Sequence, residues 1–248
     1  MITEGFSRER AVISPEDIYV PKGKLFDVCI CTFSPAILGE LLEKYPSRIA
    51  AECGSVKGPQ PIYAFEAEGK TFGAFCISVG SAIAGTEIID INFICGAEKF
   101  IVFGSAGALD RKAIAGRYVI PAAAYRDEGF SYHYAPPSDY IDLPDNETTE
   151  NVFRELGVPY ASGRTWTTDA FYRETRSKME RLVSEGCITV DMEMAGLAAA
   201  CAFHGWKLYS FLEAGDVLDG EEYDKSGLHS ANHDTKKLRI ALEIAKRV

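Results

Sequence analysis

The sequence predicts one α/β domain that spans residues 1–248, with a mixed, mostly parallel central sheet flanked by helices. Apolar runs rich in β-branched and aromatic residues alternate along the chain with helix-compatible polar segments. Strands that alternate with helices favour a parallel sheet that is covered on both faces. A chain of 248 residues, 47% of them hydrophobic, is long enough to bury the core of one large domain.

The elements follow one another in a regular order. The strand-like runs are KLFDVCICTF, PIYAFEAEGKTFGAFCISVG, KFIVFGSAG, GRYVIPAAAY, GRTWTTDAF, CITVDM and WKLYSFLEAG. Within the second run, Glu68-Gly69-Lys70 predicts a hairpin turn and therefore an antiparallel strand pair. Helices are predicted at residues 34–44, 85–97, 148–156, 172–184, 193–204 and 230–246. Three of them are followed by a C-capping glycine, at Gly157, Gly186 and Gly205.

Composition excludes several classes of protein. A net charge of −10 argues against a nucleic-acid partner, because phosphate backbones are bound through basic surfaces. The seven cysteines have neither a disulfide framework nor paired C-x-x-C spacing, which indicates a reducing compartment. No apolar run reaches the ~20 residues of a membrane helix, and MITEGFSRER lacks the apolar core of a signal peptide. We therefore expect a cytoplasmic protein with no membrane partner.

Three strand ends carry unusual residues, and ligands of α/β proteins collect at the carboxyl ends of strands. Ser105 lies in the small-residue stretch 104–107, where a ligand can approach the backbone, although a purely structural turn is an alternative. Phe171 and Tyr172 directly follow a polar strand end, and core packing is the alternative for both. The loop 127–145 is long for a connection and predicts a functional or interface role.

The third strand end, Asp191-Met192-Glu193-Met194, places carboxylates and methionines at the start of a helix. One interpretation is that Glu193 caps the helix, because the helix dipole favours a carboxylate there. A cap does not need methionines, however, and Met192 and Met194 would form an apolar, deformable wall around the carboxylate. A carboxylate beside a thioether suits the vicinal hydroxyls and ring face of a ribose.

The segment VDMEMAGL resembles the V-E-M-E-A/S-A-x-L signature of the nucleoside phosphorylase superfamily. FGSAGAL, TTDAFYRE, AYRDEGFSYHYAP and ANHDTKKLRIALEIAKRV resemble four further segments of that family, in the family's order. The resemblance extends from about Phe26 to the C-terminus and implies a single nucleoside phosphorylase-like domain.

The resemblance also implies roles for individual residues. Glu193 would bind the ribose 2′ and 3′ hydroxyls, and Asp216 would protonate the departing base, an acid that purine-acting members carry. A loop or capping role is the alternative for Asp216. The other substrate-binding candidates are Met192 against the sugar, Phe171 against the base, Ser105 and Gly107 on the cavity floor, and Asp191, Tyr172, Arg176 and His133 around them. Arg176 would be a base contact if the substrate were uridine, and the loop that contains His133 would reach a partner subunit.

The chain departs from the family where phosphate would bind. Phe33-Ser34-Pro35-Ala36-Ile37 stands in place of the family's G-D-P-x-R turn, Val102 replaces a second arginine, and a partner's arginine falls near Lys57. Phosphate would then be held by Ser105, Ser34, backbone amides, or cations such as Arg10, Lys57 or Arg126. The glutamate that hydrolytic members carry after the first strand is not evident either.

The resulting expectation is a nucleoside phosphorylase that transfers ribose from a nucleoside, favouring purines, to phosphate as co-substrate. The alternatives are a nucleosidase that uses water, a uridine phosphorylase, and a nucleoside-binding protein with weakened catalysis. No cofactor or metal is expected, because His133, His204, His229 and His233 are too scattered for a zinc site and a lone histidine is more often structural. A homodimer or homohexamer is expected from the family's shared sites.

Overall fold

The computed structural model describes residues 4–54, 58–219 and 222–248, and ten strands within them form one sheet. The strands are β1 Val28–Thr32, β2 Ser47–Cys53, β3 Gln60–Ala67, β4 Lys70–Cys76, β5 Lys99–Ala108, β6 Tyr118–Asp127, β7 Tyr140–Asp142, β8 Tyr160–Thr168, β9 Cys187–Asp191 and β10 Lys207–Val217. The helices are α1 Pro35–Lys44, α2 Ser81–Cys95, α3 Arg111–Ile114, α4 Ser131–Tyr134, α5 Asn146–Leu156, α6 Arg176–Ser184, α7 Met194–His204, α8 Leu228–His233 and α9 Lys236–Arg247.

The sheet is mixed, as predicted. Parallel ladders join β4 to β1, β1 to β5 and β5 to β10 at its centre, and the antiparallel strands β2 and β3 extend it beyond β4. On the other side, β6, β8 and β9 are parallel to one another, but β6 is antiparallel to β10 and β9 to β5. The strands β5, β10, β6, β8 and β9 therefore close into a ring.

Helices cover both faces of the central sheet. Successive side chains of a strand point to opposite faces, and β1 sends Cys29 and Cys31 to one core and Val28 and Ile30 to the other. The first core lies under α2 and α7, and the second lies under α1, α5 and α9. Because both faces of the central strands are buried, their sequences are continuous apolar runs rather than alternating apolar and polar residues.

Most predicted elements are present, with shifted boundaries. The predicted hairpin joins β3 to β4, with positive φ angles of 51° at Glu68 and 76° at Gly69. Gly157 and Gly205 cap α5 and α7 with positive φ angles of 65° and 78°, as predicted, whereas Glu185 caps α6 and Gly186, with a φ of 93°, comes one residue later. The helix predicted at 172–184 is a 3-10 turn followed by α6, and the one at 230–246 divides into α8 and α9. Strands β2 and β7 were not predicted.

Helices α2 and α7 approach each other closely at Gly196. A Cβ atom at Gly196 would lie 2.7 Å from Cβ and 2.8 Å from Oγ of Ser81, on α2. The Ser81 hydroxyl donates a hydrogen bond of 2.9 Å to the carbonyl of Met192, at the junction of β9 and α7. This contact therefore positions the segment that contains Asp191 and Glu193.

We expect Gly196→Ala to lower the free energy of unfolding by about 1–3 kcal/mol, because the added methyl group overpacks the contact with Ser81. Gly39→Ala on α1 is the matched control, since nothing lies within 4 Å of a Cβ atom built there. Alanine has the higher helix propensity, so the control should be neutral or stabilising by up to about 1 kcal/mol. Urea unfolding measures both variants, and equal destabilisation of the two would contradict this account of the packing.

Candidate active site

A cavity of about 880 Å³ opens where the ends of β5, β9 and β10 meet. Most of the residues predicted to form the site line it: Ser105, Gly107, Phe171, Tyr172, Arg176, Asp191, Met192, Glu193 and Asp216. These residues come from segments that are far apart in the sequence and are brought together by the closed part of the sheet. His133 is the exception, because it lies exposed on α4 and lines neither this cavity nor the smaller one beside it.

Gly107 forms the floor of the cavity between two neighbouring strands. It is paired with Val190 of β9 on one side and with Asp216 of β10 on the other. A Cβ atom at Gly107 would lie 2.7 Å from Leu218 and 2.8 Å from Val190, and 3.5 Å from an Asp216 carboxylate oxygen. Any larger residue would displace the side chains that shape this end of the cavity.

The capping carboxylate of α7 is Asp191, not Glu193. Asp191 Oδ1 accepts hydrogen bonds of 2.8 Å from the backbone N–H groups of both Glu193 and Met194. Its carboxylate also accepts hydrogen bonds from the hydroxyls of Thr165, at 2.6 Å, and Thr167, at 3.1 Å, on β8. Asp191 therefore lines the cavity, but its carboxylate is already engaged by the protein. Glu193 occupies the N-cap position of α7 but makes no side-chain capping hydrogen bond, so the interpretation that its carboxylate caps the helix is wrong.

Glu193 is buried beside the cavity with few protein partners. It is 7% exposed, and its Oε1 accepts a 2.7 Å hydrogen bond from the N–H of Gly80. Gly80 has a φ of 102°, a conformation that favours glycine and turns this N–H toward Glu193. Burial, reinforced by the neighbouring Asp191 carboxylate, raises the pKa of Glu193 to about 8.

The methionines beside Glu193 have different environments. Met192 is partly buried and lines the cavity, as predicted. Met194 is 0% exposed and packs in the core between α7 and the sheet, so the prediction that it forms a cavity wall is wrong. The reason is that Met194 starts the helix, whose following residues are also buried. Only one thioether is therefore available to a ligand at this carboxylate.

The opposite part of the cavity holds a second group of acidic side chains. Burial raises the pKa of Asp216, whose carboxylate is hydrogen-bonded to the Tyr223 hydroxyl. Burial, together with the charges of Asp216 and Asp127, raises the pKa of Glu174 to about 7. Glu174 was not predicted as a site residue, and its position three residues after Phe171 is the only signal for it in the sequence.

Phe171 and Tyr172 lie at the mouth of the cavity. They are 50% and 88% exposed, and their ring centroids are 4.0 Å apart. The alternative that they pack in the core is therefore wrong. Exposed aromatic rings beside a cavity offer an apolar surface on which a planar ligand can stack.

A smaller cavity of about 170 Å³ adjoins the first and shares Phe33, Val79, Ser105 and Asn232 with it. Ser105 Oγ donates a hydrogen bond to Asn232 Oδ1. Beside the cavity, Ser34 Oγ lies 2.8 Å from Nδ1 of His233. Asn232 and His233, both on α8, were not predicted as site residues, because residues so distant in sequence from Ser34 and Ser105 give no sign of proximity.

The cations proposed for phosphate are engaged elsewhere or lie outside the described residues. Arg126 donates hydrogen bonds to Ser131 Oγ, at 2.8 Å, and to the Pro136 carbonyl, at 2.6 Å, and so holds the loop after β6. Arg10 is exposed and pairs with Glu16 at 3.1 Å. Neither arginine lines either cavity, and Lys57 is not among the described residues.

Two features are absent from the part of the chain that the structure describes. No group of three or more histidine, cysteine or acidic side chains there is arranged to hold a metal ion. No helix among those residues is both long and apolar enough to cross a membrane.

A family model for the phosphorylase superfamily matches residues 27–247. The chain belongs to the phosphorylase superfamily, which confirms the resemblance carried by the V-D-M-E segment. A DeoD-type purine nucleoside phosphorylase of Bacillus subtilis is 28% identical over 86% of this chain and 92% of that protein.

Two solved structures from Helicobacter pylori share the fold. A futalosine hydrolase has a TM-score of 0.72 and 14% identity over 90% of this chain and 99% of that chain. A 5'-methylthioadenosine/S-adenosyl homocysteine nucleosidase has a TM-score of 0.72 and 14% identity over 91% of this chain and 100% of that chain. The single α/β domain with a mixed sheet is therefore confirmed as the fold of this enzyme superfamily.

The burial of Glu193 predicts a pH-dependent stability. Folded Glu193 keeps its proton up to a pKa of about 8, whereas an unfolded glutamate releases it near 4.5. The folded state binds more protons between these values, so this residue lowers stability as pH rises from about 5 to 8. Glu193→Gln removes the titration, and the excess of its Tm over that of the wild type should grow across this range. Tm is measured against pH by differential scanning fluorimetry. A Tm difference between the two proteins that stays constant from about pH 5 to 8 would contradict the raised pKa of Glu193.

Proposed function

We propose that this protein cleaves the N-glycosidic bond of a purine nucleoside and that water accepts the ribosyl group. The observation that carries the proposal is the placement of Glu193 and Asp216 on one cavity, with Gly107 as the floor between their strands. Cleavage builds positive charge on the sugar and negative charge on the base. A carboxylate at the sugar and an acid at the base stabilise both developing charges.

At the sugar end, Glu193 binds the vicinal hydroxyls of the ribose. The backbone N–H groups of Gly80 and Met192 donate to the carboxylate, and its other acceptor sites are available to ligand hydroxyls. Hydroxyl donors favour the ionised form, so ribose binding lowers the pKa of Glu193 from its value of about 8. Met192 packs against the ring face beside them.

At the base end, the ring stacks on Phe171 and its imidazole nitrogen faces Asp216. The burial that raises the pKa of Asp216 favours a proton on this carboxyl, which a general acid must carry before it can donate. Glu174 lies close enough to Asp216 for the charge of Asp216 to raise the pKa of Glu174. Together they make a base pocket suited to a leaving group that accepts a proton.

The nucleophile side of the site favours water over phosphate. Among the described residues that line the smaller cavity there is no lysine or arginine. Ser105 already donates its hydroxyl proton to Asn232, so it meets an incoming group as an acceptor. Pro35 has no N–H, and Ser34 Oγ accepts the Ile37 N–H, which removes donors that a helix N-terminus offers to an anion. Water can donate to these acceptors, whereas a phosphate dianion mainly accepts.

Phosphorolysis, in which phosphate accepts the ribosyl group, is the second candidate. It is the reaction expected from the sequence. It is favoured by the 28% identity to a purine nucleoside phosphorylase, which uses phosphate as its name states. A nucleoside-binding role without turnover is less consistent with an acidic group buried at the base end. Self-assembly and a cytoplasmic location stay predictions.

The test of the function is a product analysis. A panel of purine nucleosides and uridine is incubated with the protein, with and without phosphate, and the base and sugar products are identified. Free ribose formed at the same rate without phosphate supports hydrolysis. Ribose 1-phosphate formed only with phosphate would favour the second candidate, and no base release from any nucleoside would contradict both.

Glu193→Gln should lower kcat/KM by about 100-fold or more, because it removes charge-assisted hydrogen bonds to two ribose hydroxyls. The amide oxygen can still accept the Gly80 N–H, so the fold should survive. Glu87→Gln on α2 is the matched control, since Glu87 is also buried, at 8% exposure, but lies outside the cavity. Steady-state kinetics of a folded Glu193→Gln protein that match those of the control would remove Glu193 from the site.

Asp216→Asn should impair purine nucleosides more than uridine. Purines leave more easily when their imidazole nitrogen is protonated, and general acid catalysis contributes about 10²–10⁴ in rate. Uracil has no equivalent nitrogen, so uridine serves as the internal control. The measurement is kcat for inosine, adenosine and uridine in both proteins. Equal losses for all three would mean that Asp216 is structural and that the purine preference is wrong.

A further inference from the structure

Helix α8 brings two side chains to the smaller cavity from a distant part of the sequence. Asn232 Oδ1 accepts a hydrogen bond from the hydroxyl of Ser105, which lies near the end of β5. His233 Nδ1 lies 2.8 Å from Ser34 Oγ, at the N-terminus of α1. The two contacts span 127 and 199 residues of sequence. His233 is the only titratable side chain among the described residues that line this cavity.

The hydrogen-bonding capacity of these groups defines what the cavity can hold. Ser34 Oγ accepts the Ile37 N–H at 3.3 Å and keeps a second lone pair for His233. If Nδ1–H of His233 donates to it, Nε2 carries the free lone pair of a neutral imidazole. Ser105 Oγ, whose proton goes to Asn232, is likewise an acceptor. Two acceptors fit the two hydrogens of one water molecule.

We propose that His233 is the general base that activates the attacking water, and that Ser105 holds the second hydrogen of that water. This inference rests on the proposed hydrolysis and names its catalytic base. His233 lies in the segment ANHDTKKLRIALEIAKRV, which resembles a family segment but supplies none of the site residues predicted from the sequence. It supplies the proton acceptor for which the sequence showed no glutamate after the first strand.

The step balances in atoms and protons. The water oxygen forms a bond to C1′ of the ribose while the bond from C1′ to the base nitrogen breaks, and its electron pair leaves with the base. One water proton passes to His233 Nε2, and the proton of Asp216 passes to the imidazole ring of the base. His233 then releases its proton to solvent and Asp216 takes one up. The net reaction is nucleoside plus water giving ribose plus free base.

A buried ion pair positions α8 for this role. Lys237 is 0% exposed, lies 3.0 Å from a carboxylate oxygen of Glu213 on β10, and donates a hydrogen bond to the Ala231 carbonyl. Breaking a buried pair is costly, so α8 is held firmly against the sheet. The ionisable groups near His233 are His229, whose ring centroid is 5.0 Å away, and Asp234. The first turn of α1 contributes no acidic side chain.

The test compares His233→Asn with His229→Asn. Asparagine keeps a donor near the position of Nδ1 for Ser34 but has no basic nitrogen. We expect kcat for the accepted nucleoside to fall by about 10²–10⁴ in His233→Asn, with KM changed less than about threefold. His229→Asn, one turn earlier on α8 and outside both cavities, should retain activity within about threefold of wild type.

Sodium azide provides the decisive readout, because it is a nucleophile that needs no base. It should restore cleavage in His233→Asn and yield ribosyl azide, and it should leave the wild type nearly unaffected. Loss of kcat without rescue would mean that His233 only supports the structure, and would overturn the proposal. If thermal unfolding shows that His233→Asn is not folded, His233→Gln takes its place in the same assay.

The outcomes separate this inference from the proposed function. A His233→Asn protein as active as the wild type overturns the role of His233 and leaves nucleoside hydrolysis intact. A wild type that cleaves only with phosphate overturns the water-activating role, although the glycosidic cleavage stands. A wild type that releases no base from any nucleoside removes the proposed function, and the role of His233 with it.

Discussion

The buried carboxylate of Asp191 is the interaction on which the candidate site depends. Burying a carboxylate away from water is costly unless it is hydrogen-bonded. Here two strand hydroxyls and two helix N–H groups donate to it. These bonds fasten β8 to β9 and begin α7 at one defined residue. Because Asp191 satisfies the start of the helix, Glu193 is released from capping and can face the cavity.

This arrangement brings several acidic side chains together in a small volume. Glu193, Asp216 and Glu174 all line the cavity, and the pKa of each is raised, chiefly by burial. Such a group destabilises the folded protein in the pH range where its unfolded counterpart is ionised. Because acidic groups with raised pKa values cluster at functional sites, the stability lost here is consistent with a functional role for these residues rather than a packing role.

The smaller cavity, where we propose that the nucleophile enters, has the opposite character. Its lining is uncharged except for the titratable ring of His233, and its polar groups already donate to one another. The ion pair between buried Lys237 and partly exposed Glu213 holds α8 in this geometry. In the proposed reaction, the acidic groups of the larger cavity would bind the sugar and protonate the base, and the smaller cavity would hold the incoming water.

The sequence by itself determined the α/β class, the hairpin at Glu68-Gly69 and the strand ends that form the cavity. These depend on local rules: apolar periodicity, turn glycines and polar residues after buried strands. It could not determine that β5, β10, β6, β8 and β9 close into a ring, because each pairing depends on residues far apart in the chain. For the same reason the sequence could not show that Met192 and Glu193 face the cavity while Met194 is in the core and Asp191 caps the helix. Burial and hydrogen-bond partners decide these roles. Only the tertiary structure decided that α8 places His233 beside Ser34, because no local pattern encodes a contact across 199 residues.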